Sequence, residues 1–129
     1  MKYSYGNLVN GAWHDAGPTF ATINPARPSE QVGTYREADA ALVDLAVAAA
    51  SEAGRAWRRL TVAQRCEMLS RYLQAIEAHR DDLADAITAE QGKTLAEGRG
   101  EVAKACAESR FMLQHAMAEG HAEPAAIAQ

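Results

Sequence analysis

Gly98-Arg99-Gly100-Glu101-Val102-Ala103 matches the GxGxxA pattern of a dinucleotide-binding turn. In that turn, glycines let the N–H groups at a helix start approach a pyrophosphate. The chemistry requires a strand just before the first glycine. Here Thr94-Leu95-Ala96-Glu97 precedes it and reads as helix, so both glycines read as places where a helix lies close to a neighbour. Glu90, Glu97, Glu101 and Glu108 recur at helical spacing and could supply acid–base carboxylates. Lys93, Arg99 and Lys104 are interleaved, with Glu101 and Lys104 at i,i+3, so the run reads as a charge-laced solvated face. His14, His79, His115 and His121 form no HExxH and share no metal-ligand spacing with either cysteine. A cysteine nucleophile needs a partner base or a helix N-terminus to stabilise thiolate. Cys66 falls on an apolar stripe and Cys106 in mid-helix between Val102 and Ser109, so both read as small core residues. GxSxG and GxxxxGK[ST] are absent. Residue types alone assign no catalytic residue.

The elements that would carry these side chains fall into two regions. Residues 1–36 hold strand and turn signals. Asn10-Gly11 stands between apolar residues at 8–13, a hairpin signal because both residues tolerate the positive φ of a type I′ turn. Residues 19–23 alternate as a strand closed by Asn24-Pro25, and residues 31–35 read as a further short strand. Residues 39–119 read as about four helices. Asp39 caps an Ala-rich helix over 40–59, with an interruption expected at Gly54. Thr61-Val62-Ala63-Gln64 has capping-box spacing, followed by a stripe of Val62, Cys66, Leu69, Leu73 and Ile76. Asp81, Asp82 and Asp85 open a third helix with Leu83 and Ile87 as its apolar face and Gly92 as its stop. A fourth helix spans residue 94 or 95 to 119, and residues 120–129 read as a loose tail.

The chain has 129 residues, room for one domain. It is 48% hydrophobic and 23% charged, an ordinary globular composition. With 13 Lys plus Arg against 17 Asp plus Glu, it lacks the cation surplus of a general nucleic-acid binder, although Arg55, Arg58 and Arg59 cluster. No run reaches the roughly 18 apolar residues of a membrane span, and the first ten residues lack the core of a secretory signal. Two widely spaced cysteines point to a reducing, cytoplasmic setting.

Several segments carry a resemblance when taken in order. They are Val9-Asn10-Gly11-Ala12-Trp13, Ile23-Asn24-Pro25-Ala26, Val32-Gly33, and an Ala-rich helix ending in Ala56-Trp57-Arg58-Arg59-Leu60. Next come Arg65 with Leu69, and Ile76-Glu77-Ala78-His79-Arg80-Asp81-Asp82-Leu83-Ala84. The most specific is Glu90-Gln91-Gly92-Lys93-Thr94-Leu95-Ala96-Glu97, followed by Gly100-Glu101-Val102. In this order and spacing they resemble the opening section of the NAD(P)-dependent aldehyde dehydrogenase superfamily, and the Glu-Gln-Gly-Lys version is nearest its succinate- and oxoglutarate-semialdehyde branches. Gly54 departs from the family's usual bulky aromatic, and Phe111-Met112-Leu113-Gln114-His115 from its usual aromatic pair.

The resemblance implies an α/β fold, the opening part of a Rossmann-like nucleotide-binding domain, of which this chain holds short strands followed by helices. It implies NAD or NADP as cofactor of the complete enzyme, with none bound by this section alone. The nucleophilic cysteine, the glutamate base and the cofactor-holding segments belong to later parts of the family's sequence, and Cys66 and Cys106 do not match that nucleophile. One site carries over by position: backbone carbonyls of Thr22 and Ile23 with the Glu90 carboxylate, ligands for a structural monovalent cation whose remaining ligand belongs to the later sheet, so the site is incomplete in this chain. The alternative is a Glu90 that merely faces solvent. The expected partner is the remainder of the dehydrogenase, or a second copy meeting apolar helix faces. A non-enzymatic helical module that binds a protein partner through those faces is the rival reading.

Overall fold

A computed structural model of the chain describes residues 3–119. Five short strands precede four helices: β1 (Tyr3–Tyr5), β2 (Asn7–Val9), β3 (Ala12–His14), β4 (Thr19–Ile23), β5 (Gln31–Arg36), α1 (Ala40–Arg59), α2 (Val62–Ala78), α3 (Arg80–Gln91) and α4 (Leu95–Glu119). Asn10 and Gly11 take φ of 49° and 78°, closing the antiparallel β2–β3 hairpin as their types demand. A separate three-stranded sheet has the order β1-β5-β4, with β1 parallel and β4 antiparallel to β5. No local signal marks β1, because its partner lies about thirty residues away. The β4–β5 register shifts between Thr22 and Ile23, where Val32 is the extra residue on β5 and turns into the interior.

Local chemistry sets the helix ends. The Asp39 carboxylate accepts from the Leu42 N–H at 2.8 Å, starting α1. Thr61 and Gln64 form the reciprocal capping box of α2. Gly92 closes α3 in the left-handed region, its N–H donating to the Thr88 carbonyl. Gly54 does not interrupt α1: nothing lies within 4 Å of where its Cβ would be, and one helical glycine costs only about 1 kcal/mol of propensity.

The core lies among α2, α3 and α4, where Leu73, Ala84, Val102 and Cys106 are buried against Ile76, Ile87, Leu95 and Leu113. The α2 stripe is therefore largely covered from within the chain. Cys66 and Leu73 are buried on it, while Leu69 stays 44% exposed. On α3, Ile87 packs on the core as expected, but Leu83 does not. Leu83 is exposed and Ala84 is fully buried, because α4 approaches so closely that a Cβ on Gly98 would lie 2.7 Å from the Ala84 carbonyl oxygen. Only small residues fit that crossing. α1 contributes no buried residue, and a groove beside it is lined by Leu8, Val9, Leu42, Val43, Ala46 and Val47. Among the described residues, no helix is long and apolar enough to cross a membrane.

Candidate functional site

The two regions of the chain meet where the end of β4 faces the last turn of α3. Asn24, 2% exposed, organises the junction. Its N–H donates to the Glu30 carbonyl at 3.0 Å, its Nδ2 donates to Glu30 Oε2 at 3.3 Å, and its Oδ1 accepts from the Ala26 N–H at 2.9 Å. A buried amide satisfied in this way holds the Asn-Pro-Ala turn in one shape. That turn rests on Gly92, where a Cβ would lie 2.8 Å from Pro25 Cγ and 2.9 Å from the Ala26 nitrogen.

This contact brings Glu90 over the strands. Thr22 Oγ1 donates to Glu90 Oε1 at 3.1 Å, and the Tyr35 hydroxyl donates to the same oxygen at 3.0 Å. Thr22 and Glu90 are thus brought together from 68 residues apart, with Ile23 following Thr22 at the register shift. Glu90 lies in the last turn of α3, which carries no basic residue. A carboxylate there faces the negative end of the helix dipole and gains from hydrogen-bond donors or a cation. The carboxylate and the two hydroxyls are all oxygen groups, a chemistry suited to a hard cation rather than a soft metal. Among the described residues, no three His, Cys, Asp or Glu converge. Tyr35 had no local signal, since its partner is 55 residues further along the chain.

The other candidates resolve into structural roles. The GxGxxA segment lies inside the continuous α4, so no strand-to-helix turn presents N–H groups there. Gly98 makes the expected close approach, whereas Gly100 faces open space. Glu97 caps α4, accepting from the Thr94 N–H and hydroxyl, both at 2.8 Å, and the Thr94 N–H bond leads in holding its carboxyl below the usual range. Glu101 accepts from Lys93 at 2.6 Å instead of pairing with Lys104, and that bond lowers its pKa as well. Lys104 meets Glu108 at 3.7 Å. Cys66 and Cys106 are buried thiols. His79 lies 3.5 Å from Asp82, and the His115 ring meets Phe111 at a tilt, centroids 4.4 Å apart. His121 lies outside the described residues. A cleft of about 640 Å³ between α2, α3 and α4 is lined by Arg80, Arg99 and Arg110, but Arg99 pairs with Asp81 and Arg110 with Glu77.

The aldehyde dehydrogenase family model matches residues 13–126. The chain belongs to the aldehyde dehydrogenase family. It is 42% identical over 99 residues to the glutarate-semialdehyde dehydrogenase of Pseudomonas putida, covering 75% of this chain and 20% of that protein. Identity to the alpha-ketoglutaric semialdehyde dehydrogenase of Bacillus subtilis is 37% over 110 residues, covering 84% of this chain and 22% of that protein. Among solved structures, an NAD-dependent aldehyde dehydrogenase from Sinorhizobium meliloti superposes with a TM-score of 0.85 at 34% identity, over 92% of this chain and 24% of that one. The chain spans about a fifth of the length of these curated relatives. Its strands and helices are those of an N-terminal aldehyde dehydrogenase segment, mostly helical, from a family with a Rossmann-like fold.

Proposed function

We propose that this chain is the opening section of an NAD(P)-dependent aldehyde dehydrogenase that oxidises a semialdehyde of the succinate or oxoglutarate type to the carboxylate. The observation that carries the reading is the close superposition on one part of a dehydrogenase four times longer, together with an α1 that buries nothing of its own. Nicotinamide, when bound to the complete enzyme, accepts the hydride. The residues here do other work. Cys66 and Cys106 are buried residues at positions that do not match the family's nucleophile, and neither serves as one. No residue of this section is assigned to the cofactor.

Its contribution is a preformed helical layer. The uncovered apolar residues of α1 and of the groove around Leu69, Tyr72 and Met112 receive the remainder of the enzyme. Thr22 and Ile23 carbonyls and Glu90 hold a monovalent cation that ties the strands to the helices, without a part in the chemical step. Two free thiols fit a cytoplasmic protein. The test compares the chain alone with the longer polypeptide carrying it, using succinate semialdehyde and NAD or NADP. Aldehyde-dependent NAD(P)H formation is expected only from the longer protein, and turnover by the chain alone overturns the assignment.

The exposed α1 face also supports a second reading, a non-enzymatic module that binds a protein partner or a second copy through this surface. Size-exclusion chromatography with light scattering separates the two. A defined oligomer of the chain alone supports the module, and a monomer that associates with the remainder of the enzyme supports the first reading.

A further inference from the structure

The cleft of about 640 Å³ between α2, α3 and α4 gathers three guanidiniums against two carboxylates, a local positive excess in a chain of formal net charge -4. Arg99, Ala103, Cys106 and Arg110 follow at steps of four, three and four, so they form one stripe along α4. An arginine stands at each end of the stripe, about 16 Å apart along the axis at 1.5 Å per residue. Between them the floor is apolar, with Val102 beside Ala103 and Cys106. Each end meets one carboxylate of the facing wall. Arg110 Nη2 donates to Glu77 Oε1, and Arg99 Nε donates to Asp81 Oδ1 at 3.2 Å. Both bonds use a single nitrogen of a group that carries five N–H donors. Arg80 is different. Its Nε lies 3.9 Å from Asp81 Oδ2, beyond hydrogen-bond reach, and among the described residues it makes no hydrogen bond. Asp81 thus faces two guanidiniums and bonds one, which leaves this end of the cleft short of an anion. The side chains of Arg80, Asp81 and Arg99 are all more than half exposed, so their pairing is screened by water and yields donors at little cost.

We propose that this cleft binds a short-chain dicarboxylate. One carboxylate accepts from Arg80 and Arg99, the other accepts from Arg110, and the carbon chain lies over Val102, Ala103 and Cys106. The planar fork of a guanidinium matches the two oxygens of a carboxylate. A compact ion such as phosphate engages one end only and meets a floor without donors. Binding here is independent of the dehydrogenase reading, and its failure leaves that reading untouched.

The test measures the thermal midpoint of the full chain against glutarate, with propionate, phosphate and sodium chloride compared at equal ionic strength. Wild type should rise with glutarate and saturate, and should respond far less to the other three. Arg80→Gln breaks no internal hydrogen bond, so it should match wild type without ligand. Its half-saturating glutarate concentration should rise about tenfold, as expected for loss of one charge-assisted hydrogen bond. Arg110→Gln should raise it similarly from the other end, while Arg55→Gln, outside the cleft, should leave it unchanged. No response of wild type to glutarate overturns the site. So does phosphate or propionate acting as well as glutarate, which marks an unselective basic patch. An unchanged glutarate requirement in Arg80→Gln or in Arg110→Gln overturns the two-ended site as well.

Discussion

Replacing Gly92 by alanine should weaken both the fold and the junction that places Glu90. Gly92 has φ 71° and ψ 13°, a left-handed conformation that costs an L-residue about 1–2 kcal/mol. Its Cβ would also enter occupied space, 2.8 Å from Pro25 Cγ and 2.9 Å from the Ala26 backbone nitrogen. The proline ring has some freedom to shift, but the nitrogen is held by the Asn24 side chain at 2.9 Å. Overpacking of this kind costs about 1–3 kcal/mol. Together the loss is about 2–5 kcal/mol, a large fraction of a typical domain's stability. Urea unfolding followed by circular dichroism measures it directly. A loss under about 1 kcal/mol, or the stabilisation expected where alanine fits without strain, refutes the steric account. The Asn-Pro-Ala turn would then not be seated on the α3 terminus as described.

The two glycines of α4 should respond in opposite directions. Gly98→Ala is expected to destabilise, because its Cβ meets the Ala84 carbonyl oxygen at 2.7 Å, whereas Gly100→Ala, in open space, should stabilise by up to about 1 kcal/mol; thermal melts of both check this. On α2, Leu73→Ala should cost about 2–5 kcal/mol and Leu69→Ala far less, since Leu73 is 7% exposed and Leu69 44%; equal losses in denaturant titrations would contradict the core assigned here. The carboxyls of Glu97 and Glu101 are lowered from 4.5, so their contribution is present above that value and lost as pH falls through their folded pKa values. Glu97→Gln with Glu101→Gln should therefore flatten the loss of thermal midpoint on acidification, and an unchanged slope would show that neither contributes.

Local chemistry in the sequence determined most of the elements. Asn10-Gly11, Asp39, the Thr61–Gln64 box and Gly92 act within a few residues of themselves, so the hairpin and helix ends were legible without tertiary information. The ordered run from Val9-Asn10-Gly11 to Glu90-Gln91-Gly92-Lys93 was likewise enough to identify the family. What only the tertiary structure decided depends on chain segments that meet from far apart. It put Ala84 rather than Leu83 in the core beside Ile87, because Gly98 lets α4 approach to where only a methyl group fits. Pairing built β1 beside β5, a partner about thirty residues away. The Tyr35 hydroxyl joined Glu90 because strand register and the Pro25–Gly92 contact together set that distance, and neither is encoded near either residue.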